Sequence, residues 1–255
     1  MSDSVPSILA IGSCRIFRPL RRLHEHGAIN LVNYSEHQWF THTAAAARQF
    51  VDVLDGTTHI PEALRRAALE ADVVFPSDMR SVAALRADAV VVEVSSLKQH
   101  RIGGIELNAH KVYGIAVESG LDYRPIVQGL TSELPKDHLL KSMQVVYTTQ
   151  GELASDLLSI RDRMACPVMT VNHLYSEMRD GTPAPDRVRL TEALRQVEAE
   201  HDIFMHDTQP AIVEYGVDAA LQDQNHYRTN FEAVVGAHLL GSIRNLMDAQ
   251  SSLWS

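Results

Sequence analysis

The sequence predicts an α/β fold: a three-layer α/β/α sandwich around a mostly parallel sheet of about five strands. Three observations carry this. Short apolar runs alternate with amphipathic helical stretches along the chain. The run Asp88 to Val94 (DAVVVEV) is almost continuously apolar, as a strand buried on both faces must be. The last long stretch, Thr229 to Met247, repeats Phe231, Val234, Val235, Leu239, Ile243 and Leu246 at the spacing of one helix face packed on a sheet.

Taken in order, Ser7 to Ile11 (SILAI) is a strand ending at Gly12. An amphipathic helix follows from Ile16 to Gly27, with Pro19 placed in its first turn, where a missing N–H costs nothing, and Gly27 as its stop. Ile29 to Tyr34 is a second strand, and Ala44 to Leu54 a helix capped by Thr41 or Thr43. Pro61 to Ala71 is a further helix, Val73 to Phe75 a short strand or buried loop, and Asp88 to Val94 the third strand. Lys98 to Gln150 carries Gly103-Gly104, Pro125 and Pro135 with weak periodicity, and reads as an irregular excursion serving as a lid or partner contact. A helix at Gly151 to Arg163, a strand at Pro167 to Val171, a helix at Asp186 to Glu200 and a strand at Ile203 to His206 lead into the terminal helix. No repeat or low-complexity tract interrupts the pattern, so residues 1–255 read as one domain.

Composition narrows the function. The chain has 255 residues, 45% of them hydrophobic, enough for a large core. It contains no apolar run of spanning length and no basic-then-apolar leader, so a cytoplasmic location without a membrane span is the expectation. A formal charge of -9 argues against nucleic acid as a partner. Two cysteines, Cys14 and Cys166, are too few for a disulfide framework and read as free thiols. The 13 histidines include no H-E-x-x-H, and His24 and His26 do not share a helix face, so no metal site is expected.

In a parallel sheet, sites form at the C-terminal ends of strands. There the first strand runs into Gly12-Ser13-Cys14-Arg15 at the start of a helix, where the dipole and free N–H groups favour an anion such as a thiolate. Cys14 on its own would equally suit a small buried position. A partner lies before the last helix, in Asp223-Gln224-Asn225-His226. An acid three residues ahead of a histidine in a turn accepts the Nδ1 proton and leaves Nε2 facing outward, the relation of orienter to base in a triad.

On the Gly-Ser-Cys turn and the D-x-x-H, the chain resembles the SGNH (GDSL-type) hydrolase superfamily, in a variant similar to SGNH-like proteins found with capsule and surface-polysaccharide biosynthesis. The resemblance implies that Cys14 stands at the nucleophile's position, with Ser13 the alternative nucleophile or an oxyanion donor, and that His226 and Asp223 are base and orienter. The family's oxyanion glycine and asparagine are missing. The second strand exits at Thr41-His42-Thr43 and the third at Ser95-Ser96, so backbone N–H groups near Thr41 to Thr43, or the hydroxyls of Ser95 or Ser96, are the expected substitutes. Gly12, Arg15, His42, Thr43, Asn172 and His173 complete the candidate substrate or oxyanion residues. The function implied is acyl transfer from a thioester, acyl-CoA or an acyl carrier protein, to a hydroxyl of a glycan or small metabolite, with no bound cofactor. An esterase or deacylase is the first alternative, and a non-catalytic sugar- or nucleotide-binding module the second. Oligomeric state stays open.

Overall fold

The computed structural model describes residues 5–34, 39–69, 86–172, 175–178 and 180–253. Its elements are, in order, β1 (Ser7–Ile11), α1 (Cys14–Glu25), β2 (Asn30–Leu31), α2 (Ala44–Leu54), α3 (Glu62–Ala68), β3 (Ala89–Glu93), β4 (Lys98–Ile102) and β5 (Ile105–Glu106). There follow α4 (Ala109–Glu118), α5 (Tyr123–Ile126), β6 (Gln144–Tyr147), α6 (Gln150–Met164), β7 (Val168–Asn172) and α7 (Pro185–Glu200). The chain continues through β8 (Phe204–Asp207), α8 (Gln209–Tyr215), α9 (Val217–Ala220), β9 (Leu221–Asp223), β10 (His226–Tyr227) and α10 (Thr229–Leu253).

The central sheet has the order β2-β1-β3-β7-β8 with every pair parallel. Alternation along its strands supplies two cores. Leu9, Ile11, Val90 and Val92 face Phe50, Leu157 and Leu194 of α2, α6 and α7. On the other face, Ile8, Ala10, Ala89 and Val91 meet Ile16 and Leu20 of α1 and Phe231, Leu239 and Ile243 of α10. This is the predicted three-layer α/β/α sandwich, and β3, buried along its whole length, shows why that strand reads as continuously apolar. Because β1 is paired with β2 on one side and β3 on the other, the winding reverses there. The switch point therefore brings the exits of β1 and β3 together.

Five expectations are corrected. The first helix begins at Cys14 rather than Ile16, because Ser13, extended at φ -110, caps it by accepting from the Arg15 N–H. Pro19 consequently lies inside the helix, and α10 packs so closely there that a Cβ on Gly236 would stand 3.3 Å from the Pro19 carbonyl oxygen. The second strand shrinks to two residues. Buried Asn33 then takes over the ladder, its amide donating to the Ala10 carbonyl (2.7 Å) and accepting the Ala10 N–H (3.2 Å) as a strand peptide would. The segment 98–150 is not irregular: β4 pairs antiparallel with β5 and β6 to form a second sheet, β5-β4-β6, accompanied by α4 and α5. The helix expected to run from Pro61 to Ala71 ends at Ala68, because Leu69 is extended, and the Val73 to Phe75 segment lies outside the described residues.

Candidate active site

The exit of β1 is built around a buried acid. A Cβ at Gly12 would stand 2.4 Å from the Glu93 Cβ, so only glycine fits where the two strand ends converge. Glu93, fully buried at the end of β3, accepts the Ser13 N–H (2.8 Å) and the Ser13 hydroxyl (2.7 Å) on Oε2, and an Arg15 guanidinium N–H (3.1 Å) on Oε1. Arg15 also donates through Nε to the Ser13 Oγ (3.1 Å). The Ser13 hydroxyl thus spends its proton on Glu93 and its lone pairs on Arg15, leaving nothing for a substrate. Cys14, a half-buried free thiol at the first position of α1, is the side chain of the turn that makes no hydrogen bond among the described residues. Its backbone N–H, as the first of a helix, has no intrahelical acceptor.

The second half of the site is a hairpin. Strands β9 and β10 pair antiparallel with Asp223 opposite His226, and Gln224-Asn225 forms the turn. His226 Nδ1 lies 2.9 and 2.8 Å from the two Asp223 carboxylate oxygens, and the Asn225 N–H donates to the same carboxylate at 2.7 Å. Desolvation acts to raise the Asp223 pKa, but these hydrogen bonds outweigh it and hold the carboxyl below its ordinary range. Nε2 of His226 is therefore the ring nitrogen left for chemistry. Both side chains are about half exposed, at 49% and 52%.

Arg187, at the start of α7, clamps this hairpin. It donates to the Gln224 carbonyl (2.9 Å), the Gln224 side chain (3.0 Å), the Asn225 side chain (2.9 Å) and the Tyr175 carbonyl (3.0 Å). Burial lowers the Arg187 pKa, and the charge of Arg15 adds to the effect. His206 and Asp207, which end the fifth sheet strand, serve elsewhere: His206 meets Ser242 of α10 at 2.8 Å and Asp207 meets Arg195 at 2.9 Å.

The turn and the hairpin open on one cavity of about 910 Å³, bounded by the exits of the parallel strands and by the β4–β6 sheet. Cys14, Arg15, His42, Thr43, Ser95 and Ser96 line it, as do Ser13 and His226. Gly12 lies behind the lining, and Asp223 backs His226 without joining it. Asn172 is not part of the site: it is fully buried, donates to Thr191 Oγ1 (2.9 Å) and lends its carbonyl to Thr208. His173 lies outside the described residues.

The anticipated oxyanion donors are largely committed. The Thr41 N–H donates to the Gly12 carbonyl (3.0 Å), Thr43 Oγ1 caps α2 by accepting the Ala46 N–H (3.1 Å), and the Ser95 and Ser96 N–H groups both donate to the His42 carbonyl (2.9 Å each). Ser96 Oγ is turned back on Lys98 (2.8 Å). Within the stretch Thr41 to Thr43, the buried side-chain atoms that have no partner among the described residues are different ones: Thr41 Oγ1 and His42 Nε2, both on cavity-lining residues. His42 has Nδ1 3.2 Å from Ser95 Oγ, and its ring packs on His110 at 4.9 Å. Burial, with His110 and Arg15 adding their charge, pushes its pKa down to about 3, so the ring is neutral at physiological pH.

That depression has a measurable consequence. Below pH 6.5 the unfolded chain protonates His42 and the folded chain does not, so stability is complete above 6.5 and falls as the pH drops toward 3. Between pH 6.5 and 5 the wild type is expected to lose up to about 2 kcal/mol more than His42→Gln, at about 1.4 kcal/mol per pH unit. Urea midpoints of the two proteins across that range check it, and parallel pH profiles would contradict it.

Cys166 sits at the opposite end of the sheet, ahead of β7. Burial, reinforced by Asp88, pushes its thiol up to about 11, which makes it a packing residue rather than a nucleophile. Among the described residues, no three His, Cys, Asp or Glu side chains group to hold a metal ion, and no helix is long and apolar enough to cross a membrane.

The Vi polysaccharide biosynthesis protein TviD of Salmonella typhi is 25% identical to this chain over 279 aligned positions, which cover 96% of the chain and 32% of that protein. The chain thus spans about a third of the relative's length. The family model of the TviD N-terminal domain matches residues 6–128 and 128–242, and the chain belongs to that family.

Proposed function

We propose that the protein is an acyl-transfer enzyme of surface-polysaccharide biosynthesis, moving an acyl group from a thioester to a glycan hydroxyl through a Cys14-His226-Asp223 triad. The observation that carries this reading is that Cys14, at a helix start, and His226, oriented by Asp223, open on one cavity while Ser13 is withdrawn into the Glu93–Arg15 network. The name of the TviD relative supports the polysaccharide context. A nucleophile turn after β1, with the acid–base pair just before α10, supports the resemblance to SGNH hydrolases.

The reaction would run in two halves. His226 Nε2 takes the Cys14 thiol proton, and the thiolate adds to the donor's thioester carbonyl carbon. The oxygen that becomes negative is met by the Cys14 N–H and, in the tautomer that carries its proton on Nε2, by neutral His42. The donor's C–S bond then breaks, and its thiolate leaves with the proton held on His226. A hydroxyl next gives its proton to His226 and attacks the acyl-cysteine. An ester forms, and Cys14 leaves as a thiol reprotonated by His226. Cysteine suits exchange with a thioester donor.

The test is intact-protein mass after incubation with acetyl-CoA. Wild type and Ser13→Ala are expected to gain one acetyl group and Cys14→Ala none. An adduct that persists in Cys14→Ala and disappears in Ser13→Ala overturns the assignment. Because His226 is half exposed, water is a second acceptor, which makes an esterase the alternative reading; product analysis with and without added glycan separates the two.

A further inference from the structure

Two glutamines that the chemistry above does not use reach the cavity, Gln49 from α2 and Gln99 from β4 of the β4–β6 sheet. Gln49 and Gln99 both line the cavity and are both buried, but they differ in what they bind. Gln49 is satisfied at both ends, donating to the Glu106 carbonyl (3.0 Å) and accepting the Glu106 N–H (2.8 Å). Gln99, only 2% exposed, donates to Thr148 Oγ1 (2.7 Å), while its Oε1 is buried without a partner among the described residues. An unmet buried amide end costs about 1–3 kcal/mol, a deficit that a ligand can remove. With Thr148 Oγ accepting from the amide, its own proton is left to donate, so the pair presents an acceptor and a donor side by side. Exchanging the amide's O and N only swaps these roles. A hydroxyl, which both donates and accepts, meets either arrangement, whereas an alkyl acyl chain meets neither.

Next to Thr148 stands Tyr147, 55% exposed and also lining the cavity. It pairs across the strands with Lys98, and because side chains alternate along a strand these two project from the face opposite to Gln99 and Thr148. A donor and an acceptor side by side match two adjacent hydroxyls at the rim of a pyranose, the acceptor class of the proposed transfer.

We propose that the β4–β6 sheet is the acceptor-sugar subsite: Gln99 and Thr148 hydrogen-bond adjacent hydroxyls of the sugar ring. The proposal deepens the acyl-transfer reading and rests on it for the sugar's role as acceptor. It gives the segment 98–150 a task, that of the wall holding the glycan while Cys14 carries the acyl group.

Saturation-transfer NMR on Cys14→Ala protein tests it without turnover, with a panel of hexoses, N-acetylhexosamines and hexuronic acids as probes. At least one sugar is expected to bind with a Kd of about millimolar or below. Adding the near-isosteric Thr148→Val, or Gln99→Met, is expected to raise that Kd at least about tenfold, a loss of 1.4 kcal/mol. Tyr113→Ala, exposed on α4 away from the cavity lining, is the control. No binding by any sugar, or binding indifferent to both Thr148→Val and Gln99→Met, overturns the proposal. So does an effect of both variants on the KM for acetyl-CoA in place of sugar affinity, which would assign the pair to the donor. Acetylation of wild-type Cys14, measured separately, decides the transferase reading, so either can fail alone.

Discussion

His226→Ala is expected to slow acetylation of Cys14 by acetyl-CoA by about 100- to 10,000-fold, the range spanned by a positioned general base. The melting temperature should barely move, because His226 is about half exposed on a hairpin and its removal opens no cavity in either core. Asp223→Asn should give a large loss as well. The amide cannot act on Nδ1 as the carboxylate does, and the ring is then free to take the wrong tautomer. Because the two residues work as a unit, the double variant should be little worse than His226→Ala alone. Stopped-flow acylation rates with circular-dichroism melts on the same samples check this. A His226→Ala rate within about threefold of wild type, at intact fold, would remove the base from the mechanism.

The second large effect is on stability. Glu93→Leu leaves the Arg15 side chain, itself only 10% exposed, facing an apolar group, and strips two hydrogen bonds from Ser13. Breaking one side of such a buried pair costs about 3–5 kcal/mol. For a chain of this size that is a fall in melting temperature on the order of 10 °C. Removing both charges is a different matter. Since the attraction between buried ions hardly exceeds the cost of dehydrating them, Glu93→Leu combined with Arg15→Met should recover much of the loss. A Glu93→Leu cost below about 1 kcal/mol would mean that the network does not hold the turn together. Glu93→Gln separates charge from shape: it retains a side-chain carbonyl able to accept from Ser13, so it should fall between wild type and leucine.

The legibility of these residues tracks their separation along the chain. His226 and Asp223 are three residues apart in a two-residue turn, and the contact between them is a local event that a D-x-x-H can announce. Thr43 as the cap of α2 is legible for the same reason. Glu93 was not picked out, although an acid inside an otherwise apolar strand is a signal, because a charge in that setting has to be paired. Its partners lie 78 and 80 residues away, so the strand does not identify them. Arg187 belongs to the same class, reaching Gln224 across 37 residues from a helix that reads as ordinary surface. The second sheet is a middle case. Gly103 and Gly104, with φ of +56 and +84, form the tight turn between β4 and β5, and a Gly-Gly pair is a hairpin signal. The flanking KQHRI is too polar to read as a strand, and its other partner, β6, lies about 40 residues on.

By itself the sequence determined the class of the fold, the positions of the parallel strands and main helices, and the two short motifs at opposite ends of the chain. All of these depend on periodicity, capping and spacing within a few residues. Only the tertiary structure decided that Ser13 is spent on Glu93 and Arg15 while Cys14 stays available, that Asn172 belongs to the core, and that segment 98–150 walls the cavity. Each depends on which buried polar group finds a partner, a matter settled when distant strands meet at the switch point.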